Sequence, residues 1–358
     1  MTADPRISKQ ADILVNYSLK VKKGEKILIQ SDFLSKPLVL ELYKKLIQKG
    51  ASEVRISFGQ ADFQEIFFKY SSSSQRKSFS KISMYEIKNV DCWIGILSPE
   101  NTRALSSIDP KLISERALVT KKVSDWRVEK TRWVISIFPT HSLAQEANMS
   151  LNEYEDFVFS SINDVVWGLL KEKQTKIKKL LDKTKLVKIV NRDTNLTFSI
   201  EGRKAESCSG EFNMPDGEVF TSVVENSVNG FITFSYPAIY LGREFENVRL
   251  EFKNGKVIKA TSSKNEKDLN KILDTDRGAR FVGEFGIGTN YKIKKFTKEI
   301  LFDEKIGGTI HLALGKGFKE TLSKNNSSIH WDMICDLRSG GALSFDDKLV
   351  QLGGKWKI

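Results

Sequence analysis

Residues 26–58 read KILIQSDFLSKPLVLELYKKLIQKGASEVRISF, and their pattern decides the fold class of the first half of the chain. Lys26-Ile27-Leu28-Ile29-Gln30 is a short apolar run suited to a strand, and Ser31-Asp32 leave it as a loop. From about Pro37 the apolar residues Leu38, Leu42 and Leu46 recur at helical spacing. Pro37 suits the first turn of that helix and Gly50 its stop. Glu53-Val54-Arg55-Ile56-Ser57-Phe58 is the next strand, which makes the segment a β-α-β unit with a right-handed crossover.

Working outward, Cys92–Leu97 and Trp133–Phe138 read as further buried strands, so the first half is predicted to be a doubly wound α/β domain with a parallel-type sheet. Ser150 followed by Glu153 is a capping box, and a helix should start near Leu151. It is expected to run, with a break, through the Lys-rich segment to about Lys185. This divides the chain into an α/β domain, 1–185, and a β-rich α+β metal-binding domain, 186–358. In the second half Leu196–Ile200 alternates apolar and polar residues. Val248–Lys253 and Lys256–Ala260 flank Asn254-Gly255, a strong hairpin signal. Thr309–Leu314 and Ile329–Leu337 read as strands, and a helix is expected near Lys267–Leu273.

Two domains suit 358 residues. The first ten residues lack a basic-then-apolar secretory pattern, and no stretch approaches the roughly 18 apolar residues of a membrane span. Cys92, Cys208 and Cys335 are three widely spaced cysteines with no CxxC pair. A reducing compartment, the cytoplasm, is therefore expected. The net charge of +12 raises the question of nucleic acid. Much of the Lys excess lies in Lys171–Lys188, where Ile177, Leu180, Leu181 and Leu186 recur at helical spacing. That run reads as a solvated helix face, and a nucleic-acid partner is not expected.

Two of the three histidines fall late in the chain. In His330-Trp331-Asp332, residues two apart point to the same face if the segment is a strand. An imidazole and a carboxylate converging in this way suit either a divalent cation or a simple hydrogen-bonded pair. His311 follows Gly307-Gly308 on an apolar strand and lies 19 residues before His330, enough for an adjacent strand. Glu218 and Glu284 each follow a glycine and stand beside apolar residues, where an unpaired charge is costly. Two histidines and three carboxylates form the donor mixture of a two-metal hydrolase. Gly286-Ile287-Gly288 lacks the third glycine and the helix of a dinucleotide fingerprint. Cys335 has no histidine partner in sequence to activate it as a nucleophile.

At these motifs the sequence resembles the metallo-aminopeptidases of the aminopeptidase T and aminopeptidase S family. The likeness runs through Tyr17 to Glu25, Gly50-Ala51 and Phe138 to Ala147. It is closer in Asn213 to Thr221, Gly283 to Asn290, Leu301 to Gly315 and Ser328 to Arg338. The resemblance implies a β-rich catalytic domain, a homodimer with an enclosed active site, and two divalent ions (zinc, cobalt or manganese). It implies Glu218, Glu284, His311, His330 and Asp332 as metal ligands, with Glu304 behind them. It further implies hydrolysis of the first bond of peptides with a free N-terminus, with Glu218 taking the proton of the attacking water. The chain departs from the family at Phe318, which stands where a tyrosine is usual, and Tyr291 is a candidate substitute for the lost hydroxyl. Two other functions compete. One is a peptide-binding or partner protein whose catalysis is impaired. The other is a ring-cleaving dioxygenase with a single iron on a related fold, against which the presence of both Glu218 and Glu284 argues.

Overall fold

The computed structural model describes residues 4–240 and 242–357. The chain divides into two compact units. The first runs to Asp164 and takes in Gly210–Pro215; the second comprises Val165–Ser209 and Asp216 onward.

In the first unit, strand β1 (Lys26–Asp32), helix α1 (Lys36–Gln48) and strand β2 (Glu53–Gly59) form the expected β-α-β element. Leu38, Leu42 and Leu46 are buried, as their spacing requires, and Gly50 adopts φ +86°, a turn that a side chain would oppose. Strands β3 (Cys92–Leu97) and β4 (Arg132–Ile137) complete a parallel sheet in the order β2-β1-β3-β4. The short strand Asn213–Met214 pairs parallel with β4 at the sheet edge. Helix α2 (Pro110–Lys130) leads into β4. Helix α3 (Leu151–Asn163) starts at the Ser150–Glu153 capping box, with both reciprocal hydrogen bonds formed. It stops at Asp164, and helix α4 (Trp167–Leu181) begins a few residues later within the second unit. The sequence pattern alone predicts a division at 185/186. Lys173, Lys176 and Lys179 of α4 face solvent while Ile177 and Leu181 enter the second unit's core.

The second unit is built from two larger antiparallel sheets and a small hairpin. One sheet has eight strands and includes the Arg249–Lys253/Lys256–Thr261 hairpin that Asn254-Gly255 predicts. The other has five: β5 (Ala205–Cys208), β6 (Glu218–Thr221), β7 (Val282–Gly288), β8 (Thr309–Gly315) and β9 (His330–Asp336), in the order β9-β8-β7-β6-β5. Val187, Leu196, Phe198 and Leu250 of the first sheet and Phe285, Ile310, Leu312 and Trp331 of the second belong to one apolar core. Phe198 meets Phe285 edge-on at 5.1 Å between ring centres. Because side chains alternate along a strand, filling this core with every second residue sends the intervening residues to the opposite face.

Candidate metal centre

That opposite face carries the predicted residues. Antiparallel register sets Glu218 against Gly288, Gly286 against His311, Glu284 against Ala313, and Ala313 against Asp332. His330 lies two residues before Asp332 on β9, so all five project from the same side of one sheet. Gly286 makes room for the imidazole: a methyl group there would lie 2.0 Å from His311 Nε2.

The side chains converge. His311 Nε2 lies 3.3 Å from Glu284 Oε1 and 3.4 Å from Glu218 Oε2. His330 Nε2 lies 3.2 Å from Asp332 Oδ2 and 3.8 Å from Glu284 Oε2, so the Glu284 carboxylate extends between the two histidines. His330 Nδ1 donates to the Lys316 carbonyl at 2.7 Å. A carbonyl can only accept, so Nδ1 keeps its proton and Nε2 is the nitrogen that a cation would take once its own proton leaves. Gln174 of α4 is fully buried and donates to the carbonyls of Cys208 (2.8 Å) and Glu218 (3.2 Å) and to Thr289 Oγ1 (2.9 Å). It thereby fixes the backbone of β6 at the position of Glu218.

The turn that follows helix α5 (Ile300–Asp303) adds two residues that strand periodicity did not point to as site members. Glu304, expected to stand behind the ligands, brings a carboxylate oxygen within 4.8 Å of donor atoms of Glu218 and His311. Lys305 is fully buried, contacts Glu304, and has its Nζ 3.7 Å from Glu218 Oε1. The sequence signal for Lys305 was weak, since one lysine among many in a basic chain does not stand out. Phe318 packs edge-on against the His330 ring at 5.3 Å and against Phe220 at 5.4 Å, so its ring adjoins the gathered side chains. The Tyr291 hydroxyl donates to the Gly354 carbonyl at 2.7 Å and is committed there.

Burial and charge act against each other here. Burial raises Glu218 well above the ordinary carboxylate range, with the Glu304 charge adding to it. Burial also raises Glu284, opposed by its His311 hydrogen bond. Burial alone would depress His311, but Glu284, Glu218 and Asp332 outweigh it and hold the imidazole at about 9. His330 is likewise held at about 10, against burial, chiefly by Asp332. Asp332, despite burial, is held low by His330. Lys305 stays charged, its desolvation outweighed by Glu304, Glu218 and Asp216.

The arrangement fits a metal. Glu284 Oε2 and Asp332 Oδ1 are buried without a hydrogen-bond partner, a cost that protein interiors rarely leave uncompensated. Donor atoms of Glu284, His311 and Asp332 lie within 4.8 Å of one another, as do those of Glu218, Glu304 and His311. Carboxylate oxygens mixed with imidazole nitrogen are the donors that divalent cations of the zinc and manganese type accept.

The comparison with known proteins decides the family. Residues 3–348 match the model of the thermophilic metalloprotease family M29. The chain belongs to the M29 family. Aminopeptidase 2 of Geobacillus stearothermophilus is 23% identical over 384 residues, covering 92% of each chain. Among solved structures, AmpT of Thermus thermophilus superposes with a TM-score of 0.87 at 18% identity, covering 99% of both chains. A 2,5-dihydroxypyridine dioxygenase of Pseudomonas putida superposes with a TM-score of 0.60 at 11% identity, covering 99% of this chain and 98% of that one. The α/β sheet with a β-rich second half is thus a fold this M29 chain shares with AmpT. Membership of a metalloprotease family implies a divalent metal and peptide substrates. No helix among the described residues is long and apolar enough to cross a membrane.

Proposed function

We propose that this chain is a metal-dependent aminopeptidase that hydrolyses N-terminal peptide bonds at a centre of two divalent ions. The observation that carries the reading is the convergence of Glu218, Glu284, His311, His330 and Asp332 on one sheet face, with two of their buried carboxylate oxygens unpartnered. Charge supports the number of ions. Glu304 and Lys305 cancel as a pair, leaving the carboxylates Glu218, Glu284 and Asp332 and, beside Glu218, Asp216. Two divalent ions balance these four charges, whereas one would leave two negative charges uncompensated in a buried site.

Two bound ions supply Lewis-acid polarisation of the scissile carbonyl and a water acidified for attack. Glu284, whose two oxygens face different histidines, would help to hold the ions. His311, His330 and Asp332 would complete their coordination. Glu218 is the base that takes the water's proton, and Lys305 beside Oε1 stabilises its carboxylate form before the proton arrives. Gln174 positions Glu218 through the backbone. A cytoplasmic homodimer using zinc, cobalt or manganese accompanies this reading.

The test is to load the purified protein with each of these metals, count ions per chain by elemental analysis, and supply a panel of peptides with free N-termini. Two ions per chain and release of free amino acids are expected, with blocked N-termini resisting. One iron per chain, or two ions with no release from any peptide, would sink the proposal. In the second case a peptide-binding role is favoured, because Phe318 offers His330 a ring without a hydroxyl.

A further inference from the structure

We infer that the cavity beside His330 and Asp332 receives the side chain of the substrate's N-terminal residue and selects an apolar one, of leucine or phenylalanine type. The inference rests on the aminopeptidase reading and names the substrate class for that site. The cavity has a volume of about 210 Å³, and His330 and Asp332 form part of its wall, so it opens directly onto the proposed metal centre. Its remaining walls include Pro237, Ile239, Phe296, Ile300 and Ile334, drawn from three separate stretches of chain. A mostly apolar cavity with a few placed polar groups is the usual design of a small-molecule pocket.

The two other charged residues at the cavity are already engaged. Lys298 Nζ pairs with Glu244 at 3.2 Å. Asp303 is 2% exposed, and its Oδ1 accepts from both the backbone N–H (2.8 Å) and the hydroxyl (3.0 Å) of Thr297. A basic or acidic side chain entering the cavity would therefore give up its hydration for partners that are already taken. The aromatic wall is held in place. Phe296 stacks parallel on Tyr236 at 4.7 Å, and the Tyr236 hydroxyl donates to Asp336 at 2.7 Å. Arg338 grips the same carboxylate at 2.6 Å. A cavity braced in this way keeps its shape without a ligand, which favours binding by a preformed pocket. Ile300 is 46% exposed, so it can be exchanged without disturbing the core.

The experiment uses the metal-loaded full-length protein with two readouts. One is kcat/KM on leucyl, alanyl, lysyl and glutamyl amides. The other is calorimetric binding of L-leucine, L-alanine, L-lysine and L-glutamate hydroxamates, which needs no turnover. Both should rank the leucyl compound about 10-fold or more above the rest, since several methylenes separate it from alanine. Ile300→Glu should cut the leucine-to-lysine ratio by about 10-fold or more while leaving thermal melting unchanged. Equal affinities across the hydroxamates, a lysine or glutamate preference, or an unchanged ratio in Ile300→Glu would overturn the inference. Ranked hydroxamate binding without cleavage of any amide would remove the aminopeptidase reading and leave the pocket standing. Cleavage without ranking would do the reverse.

Discussion

Gly286→Ala gives the sharpest test of the site geometry. The added Cβ would lie 2.0 Å from His311 Nε2 and 2.1 Å from Cε1, whereas ordinary contact begins at 3.4 Å. The imidazole must therefore retreat by about 1.4 Å, the difference between 3.4 and 2.0 Å. His311 is fully buried, so it cannot swing out into solvent. Gly286 is not among the glycines with positive φ, so the backbone accepts alanine and the clash alone sets the effect. Metal–ligand distances tolerate only about 0.2 Å, far less than this displacement. Loss of a group that merely orients a ligand costs about 10–100-fold in metal affinity, and displacing the ligand itself should cost at least about 100-fold. Overpacking should cost about 1–3 kcal/mol of stability, which leaves a folded protein. Chelator competition measures the affinity and circular dichroism checks the fold. Gly168→Ala in α4, where a Cβ meets nothing within 4 Å, is the control and should bind as wild type. A folded Gly286→Ala protein with metal affinity within about threefold of wild type would refute the placement of His311 as a ligand.

Three further outcomes are expected. Phe318→Tyr adds a hydroxyl to a ring that already lies against His330, and should raise kcat by about 10²–10³-fold; an unchanged kcat would show that the site manages without that donor. Lys305→Met leaves Glu218 and Glu304 buried without their ammonium, and urea unfolding of the chelated protein should show a loss of about 3–5 kcal/mol; a loss under about 1 kcal/mol would contradict the pairing. In the metal-free protein His311 and His330 titrate at about 9 and about 10, above the 6.5 of a free imidazole. Their stabilisation is therefore full below about pH 6.5 and is lost as pH rises through 9 to 10. Ligation requires the neutral imidazole, so metal uptake at pH 7 should release about two protons from the histidines alone, and affinity should climb steeply toward pH 9. Calorimetry in buffers of differing protonation enthalpy counts them, and a value near zero would contradict these shifts.

The site was legible where strand periodicity governs it. His330 and Asp332 are two residues apart on an apolar strand, which is sufficient to place both on one face. The α/β half was legible because Leu38, Leu42 and Leu46 repeat at helical spacing between two apolar runs. Long-range register was not. Nothing in the sequence reveals that Gly286 stands opposite His311, since register depends on how the whole sheet seats on its core. Glu304 and Lys305 sit in a connection with no period to read. Gln174 is one polar residue among many in a Lys-rich helix, and only the fold shows that its side chain reaches three acceptors. The strand Asn213–Met214 is too short to carry an alternating pattern.

The order of strands in the site sheet has a kinetic consequence. β7 and β8, which carry Glu284 and His311, each have a neighbour on both sides, whereas β9, with His330 and Asp332, is an edge. An edge strand held by one ladder opens at lower free energy than the interior strands beside it. At the proposed centre, fraying of β9 should therefore set ion residence time, with Glu284 and His311 still in place to recapture an ion as the strand closes. Amide hydrogens of β9 should exchange faster than those of β8 in the chelated protein, and metal should slow β9 most.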